Sequence, residues 1–396
     1  MQTTKYYEEF KRYYALAEDQ QGKTNLGWQD YDGSTEDDLM NNVQLYDVVE
    51  RKLAGFSQIM NDAFYGKSKE HPYYDKIQAG HSTKQRTYML DKWEGRQSVY
   101  GLREWLYVFL IHRVTGSAIN YGTIPSGYHN TILFDLYQCD TVKEMTQLVP
   151  HYRKTFYTSI GYQFPRFPKP PTGFHRNNYN ADLVEYKRGG DYYLAEFAPR
   201  LVDDMATWLE SGKKRDFREM GNWMFDWNTK NGLVKYKFQY AAYLADIADW
   251  LPQFVNRESL FYYGTNAVEC ISYMTEGKKK DEKTLDNVMK MIYEDLGSLP
   301  YNAEDVCCDF IRWVENYIRP GAHYNNLDRD KIWSSSKILD HPCGRQKAML
   351  DLGLVESFNT LNYHPSDLKV IESNNLTVDK YKNMVNNVLL VEQNMV

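Results

Sequence analysis

The chain has 396 residues, 42% hydrophobic and 25% charged, enough to bury a sizeable core and too apolar for wholesale disorder. Its net charge of −6 argues against a broadly basic nucleic-acid coat, although a local basic groove fits within that average. Five cysteines, Cys139, Cys270, Cys307, Cys308 and Cys343, are odd in number and form no CxxC pair; this predicts reduced cytoplasmic thiols and neither a zinc ribbon nor a disulfide scaffold.

The first residues, MQTTKYYEEFKRYY, lack the apolar run of a signal peptide and read as a helix over 1–18, with Tyr6, Phe10, Tyr13 and Tyr14 near helical spacing. No stretch approaches the ~18 apolar residues of a membrane span. Residues 19–38 read as a loop. A helix over 37–65 follows, capped by Ser34 or Thr35, with Leu39, Val43, Tyr46, Val49, Leu53, Phe56, Ile59 and Phe64 on one side. Residues 66–97 read as a basic loop in which Tyr73, Tyr74, Tyr88 and Trp93 interleave with lysines and arginines. That mixture suits a stacked nucleotide strand as well as a solvated surface.

A strongly apolar helix over 99–114 delivers His112 and Arg113 to a polar, turn-rich insert, HRVTGSAINYGTIPSGYHNT (112–131), before apolar residues resume at Ile132. Helical pattern continues over 132–137 and 142–148. The proline-rich stretch 161–180 reads as an ordered connector. Residues after it alternate around Arg188-Gly189-Gly190-Asp191, which predicts a β-hairpin turning at those four residues. Thereafter helices are expected over 201–209, 217–227, 236–250, 266–274, 282–296, 303–317 and 347–358. The class is mostly α with one small β insertion. The divisions are an N-terminal helical region (1–98), a helical core (99–320, with the connector and β insertion at 161–199) and a C-terminal helical extension (321–396).

GxxxxGK[ST], HExxH, GxSxG and GxGxxG are all absent, and the nine histidines do not cluster as metal ligands. Three constellations remain. In the central insert, two small-residue turns, Thr115 to Ala118 and Ser126 to Thr131, present backbone amides and the His129 imidazole to one anionic ligand, or simply cap helices, as Asn130 or Thr131 would. In the second, Gln239 and Asp246 share a helix face, and Gly264, Thr265 and Asn266 open the next helix as a phosphate-gripping hairpin would; an ordinary helical hairpin looks the same. In the third, Asp305, Asp309 and Arg312 fall at i, i+4 and i+7, as in a surface salt-bridge ladder.

In this order, the helix ending Arg113, Thr115-Gly116-Ser117, then SGYHNT, the Gln239/Asp246 helix, the Gly264-Thr265-Asn266-Ala267 turn and the Cys308-Asp309-Phe310 helix resemble a phage family. These are the α-glutamyl/putrescinyl thymine pyrophosphorylases, or amino acid:DNA transferases, relatives of the helical 5-hydroxymethyluracil DNA kinases and of helical DNA glycosylases. The resemblance covers roughly residues 100–320; the turn here lacks the proline of the Gly-Pro-Gly-Ala-like turn in relatives. It implies a helical DNA-glycosylase-like architecture with a helix-hairpin-helix-like turn. The implied activity is transfer of an amine, from an amino acid or polyamine, onto pyrophosphorylated 5-hydroxymethyluracil in double-stranded DNA, in the cytoplasm of a phage-infected bacterium. No resident metal and no membrane partner are implied, while Mg2+ could accompany the pyrophosphate. Arg113, Ser117 and His129 would hold the pyrophosphate, Asp246 would take the ammonium proton, Gln239 would read the base, and Gly264, Thr265 and Asn266 would hold the DNA backbone. Asn120, Tyr128, Asn130 and Asp309 would complete the substrate pocket. The alternatives are a DNA kinase or a glycosylase-like enzyme of the same superfamily, and a non-catalytic DNA-binding phage protein.

Overall fold

The computed structural model describes residues 2–23, 49–53, 57–80, 84–94, 96–115, 136–148, 175–177, 183–185, 192–233 and 240–313. Of the interpretable residues 70% are helical, which places the chain in the mostly α class.

Thirteen helices are described. They are α1 (Lys5–Lys23), α2 (Gln58–Tyr65), α3 (Tyr74–Gln78), α4 (Lys84–Trp93), α5 (Arg96–Val99), α6 (Leu102–Thr115), α7 (Val142–Leu148), α8 (Ala198–Glu210), α9 (Phe217–Lys230), α10 (Ala241–Trp250), α11 (Thr265–Tyr273), α12 (Glu282–Leu296) and α13 (Pro300–Trp313). The two-stranded sheets are β1 (His175–Asn177) with β2 (Leu183–Glu185), antiparallel, and β3 (Arg215–Asp216) with β4 (Val255–Asn256), parallel.

The larger core is built around α6. Residues Trp105 to Ile111 are all buried, so this helix is apolar around its whole circumference and must be enclosed rather than laid on a surface. It packs against α8 and α10, and Tyr243 of α10 donates a hydrogen bond to the Leu106 carbonyl at 3.1 Å. A π-helical turn, Tyr193–Phe197, leads into α8, and Tyr107 donates to its Leu194 carbonyl at 2.7 Å. That bond satisfies a backbone oxygen in the widened turn. A second core joins α1 to α11, α12 and α13, with Phe10 edge-on to Phe310 at 5.3 Å. The ends of α12 follow standard cap chemistry. Asp281 accepts from the Thr284 amide at 3.0 Å, and Gly297 closes the helix at φ 68°, where a Cβ would be strained.

Several expectations are corrected. The helix expected over 37–65 is interrupted: among its described residues, Arg51–Leu53 form a 3-10 turn, and α2 starts only at Gln58. The apolar spacing there was real, but a buried arginine turns the chain inward. Residues 66–97 contain α3, α4 and the start of α5 rather than one loop. Tyr73 and Trp93, offered as stacking rings, are buried in the protein. The hairpin also sits earlier: Leu183–Glu185 pair backwards with His175–Asn177, while residues 192–210 are helical. The loose alternation after the Gly-Gly pair was the face of a helix. Helices over 142–148 and 282–296 fall where expected, and α1, α6, α8, α9 and α11 differ from expectation only at their ends. Helix α10 falls within the expected 236–250 and α13 overlaps the expected 303–317, starting at Pro300, with residues 236–239 and 314–317 outside the described residues. Residues 132–135 and 347–358 lie outside the described residues. Within segment 1–98, α1 joins the second core and α2 the first, while Tyr73, Ile77 of α3 and Leu90 of α4 form a small third cluster.

Candidate functional site

Three elements and one turn converge on a buried cluster of charge. Helix α6 ends with His112 and Arg113, both buried. Helix α10, AAYLADIADW, is buried at every position, so Asp246 and Asp249, one turn apart, are both enclosed by protein. Helix α13 contributes Tyr301, Asn302 and Asp305. The 3-10 turn contributes Arg51, only 2% exposed.

Arg51 joins all three aspartates. Its Nε donates to Asp305, its Nη1 donates to Asp249 at 3.1 Å, and its Nη2 lies 3.5 Å from Asp246. Its backbone amide reaches the Asn302 side-chain oxygen at 3.4 Å. Arg113 clasps Asp246 from the other side, donating from Nε and Nη2 to the two carboxylate oxygens. This fork geometry is the strongest form of arginine–carboxylate contact. Outward from these pairs, Tyr301 donates to Asp249 at 2.8 Å and accepts two bonds from Arg257, at 2.9 and 2.7 Å. Arg257 is half-exposed and approaches Glu50 at 3.8 Å.

These surroundings shift the titration of Asp249, Tyr301 and Lys52. Burial raises the Asp249 carboxyl from the usual range to about 6, with Glu50 and Asp246 adding to the rise and Arg51 and the Tyr301 hydroxyl opposing it. Burial pushes the Tyr301 phenol well above its ordinary value, and the Asp249 charge adds to this. Burial lowers Lys52, next in sequence to Arg51; its Nζ bonds the Tyr65 hydroxyl.

Arg113 and Asp246, expected to bind pyrophosphate and to accept a proton, are brought together and bind each other. Gly264 is the N-cap of α11, with φ −73° and ψ 165°. Its amide, expected to face a phosphate, donates to the buried carboxylate of Glu304 at 3.0 Å. Thr265 is exposed and Asn266 half-exposed in the first turn. Asp309 lies on α13. Ser117, Asn120, Tyr128, His129, Asn130 and Gln239 lie outside the described residues. Asp305, read as part of a surface ladder, is 7% exposed and ion-paired with Arg51; the i, i+4 pattern could not show that its face meets another element.

Sequence reasoning did not single out Arg51, Asp249, Tyr301 or Arg257. One signal was present: two aspartates three residues apart in an otherwise apolar helix require cations from elsewhere. Nothing local said which arginines would supply them.

Among the described residues no group of three or more His, Cys, Asp or Glu side chains could hold a metal ion, and no helix is long and apolar enough to cross a membrane. Neither a family model, nor a curated protein, nor a solved structure matches the chain.

Proposed function

We propose that this chain is a DNA base-hypermodification transferase of helical DNA-glycosylase-like architecture. It would displace pyrophosphate from pyrophosphorylated 5-hydroxymethyluracil in DNA with an amine. The observation that carries this reading is the Arg113–Asp246 pair, which joins the mouth of the polar insert 112–131 to helix α10 across 133 positions of sequence. Two stretches singled out by sequence resemblance thus meet at one buried point. Ion clusters of this kind cost several kcal/mol of desolvation per charge, so they are weak stabilisers, and perturbed carboxylates concentrate at functional sites.

The pairing adds a step to the mechanism. When pyrophosphate enters, Arg113 exchanges Asp246 for the incoming anion, helped by Ser117 and His129 of the insert. Asp246 is then left with Arg51 and takes up the ammonium group of the amine. The carboxylate removes a proton from that ammonium. The nitrogen lone pair forms a C–N bond to the 5-methylene carbon, and the C–O bond breaks with its electrons leaving on pyrophosphate. Neutralising the leaving group and preorganising the nucleophile are the two largest tasks. Gln239 would contact the base edge, and the exposed first turn of α11, at Thr265 and Asn266, would lie along the backbone.

Asp246→Asn tests the role directly. It should lower transfer of an amine to pyrophosphorylated DNA by at least about a hundredfold, the scale of a lost general base, with an unchanged helical circular-dichroism spectrum. Full activity in a folded Asp246→Asn protein would remove the proposed base.

A further inference from the structure

On the outer side of Arg257 lies an open cleft of about 320 Å3, lined by Lys214, Val255, Asn256, Arg257, Glu258 and Leu299. It borders the short parallel pair β3–β4, in register Arg215 to Val255 and Asp216 to Asn256, and the β4 residues line it. The pair is fixed by the Arg215 amide donating to the Phe254 carbonyl at 2.8 Å. Lys214 enters this pair at one end and Arg257 leaves it at the other, so backbone pairing sets the spacing of two cations.

Arg257 is held as a preorganised donor. Its Nε and Nη2 are both taken by the Tyr301 hydroxyl, which is itself anchored on the buried Asp249. Among the described residues, Nη1 of Arg257 and Nζ of Lys214 make no hydrogen bond, and the Arg257 guanidinium has Glu50 at 3.8 Å on its inner side. Beside them stand acceptors. Asn256, exposed and lining the cleft, uses its Nδ2 to donate to Asp216 at 2.9 Å, which leaves its amide oxygen as the acceptor it has to offer. The exposed Glu258 carboxylate, which raises the neighbouring Tyr293 phenol above its ordinary value, has acceptor capacity to offer. Val255 and Leu299 supply an apolar wall.

We propose that this cleft binds a small sugar phosphate, independently of the transferase reading. The phosphate monoester, a dianion near neutral pH, sits between Lys214 and Nη1 of Arg257, the point charge and the fork that suit it. The sugar hydroxyls donate to Glu258 and to the Asn256 amide oxygen. The carbon face of the ring lies on Val255 and Leu299. A bare anion leaves Glu258 as an unfavourable neighbour, whereas a polyol phosphate makes it a partner.

Isothermal titration calorimetry of the full chain with ribose 5-phosphate tests this. Saturable 1:1 binding is expected, weakened about tenfold (about 1.4 kcal/mol) by Lys214→Ala and again by Glu258→Gln. Both residues are exposed, so the variants should fold as the parent does. Inorganic phosphate and a thymidine dinucleotide, which carries only a phosphodiester, should each bind at least about tenfold more weakly. Absence of saturable heat with ribose 5-phosphate, equal affinity for inorganic phosphate or for the dinucleotide, or affinity unaffected by Lys214→Ala, would each overturn the proposal.

Discussion

Replacing Arg51 by methionine keeps the unbranched apolar stem of the side chain and removes the cation shared by Asp249 and Asp305. Asp246 retains Arg113, but Asp249 keeps only the Tyr301 hydroxyl within hydrogen-bond distance, with Arg257 4.0 Å away. Removing one partner of a buried pair leaves an uncompensated charge, at a cost of about 3–5 kcal/mol. That is a large share of a typical domain stability of about 5–15 kcal/mol. The pH dependence separates this from loss of packing. The folded Asp249 carboxyl stands at about 6, above its unfolded value near 3.8. From about pH 4 to 6 the native state therefore holds a proton that the unfolded state has released, and this group's contribution to stability falls as pH rises, by about 3 kcal/mol in all. Above pH 6 the parent is flat with respect to Asp249. Without Arg51 the carboxyl rises further, so the Arg51→Met protein should go on losing stability from pH 6 toward 8. Urea unfolding of both proteins at pH 5.5, 6.5 and 8 measures this. The Arg51→Met/Asp249→Asn double variant should regain part of the loss at pH 8. A destabilisation below about 1 kcal/mol, the scale of an exposed pair, with no pH trend, would refute the account of a shared buried cation.

Gly221 lies under Tyr262, where an added Cβ would meet the ring and hydroxyl at 2.2–2.5 Å. Gly221→Ala should therefore cost about 1–3 kcal/mol in urea unfolding, and the cost should largely vanish in a Tyr262→Ala background. Glu304→Ala removes the carboxylate that holds the Gly264 amide at the start of α11, and should destabilise the protein by about 1–3 kcal/mol. Amide hydrogen exchange should rise first in α11; unchanged protection there would mean that the carboxylate does not hold that helix end.

The parts of the fold legible in the sequence were those with strong local signals. Helix α12 falls on the expected 282–296, where the structure places Asp281 as its cap and Gly297 as its stop, and the strongly apolar run through Trp105 to Ile111 marked a buried helix. The failures came where tertiary contacts override local pattern. Arg51 occupies a helix-like apolar stretch, yet three aspartates from two distant helices draw it inward through a 3-10 turn. The segment after Gly190 alternates like a strand, yet packing of Tyr193 and Leu194 against α6 makes it helical. For the site, Arg113 and Asp246 could be named from sequence, but the bond between them could not. Asp305 was misread because helical spacing shows which residues share a face, and not what that face meets.

The transferase reading is tested most directly by nucleoside mass spectrometry of pyrophosphorylated 5-hydroxymethyluracil DNA incubated with the chain and a pool of amino acids and polyamines. A new nucleoside with an amine joined to the 5-methylene carbon, formed with stoichiometric release of pyrophosphate, is the predicted result. Unchanged pyrophosphorylated nucleoside, or release of free base, would contradict it.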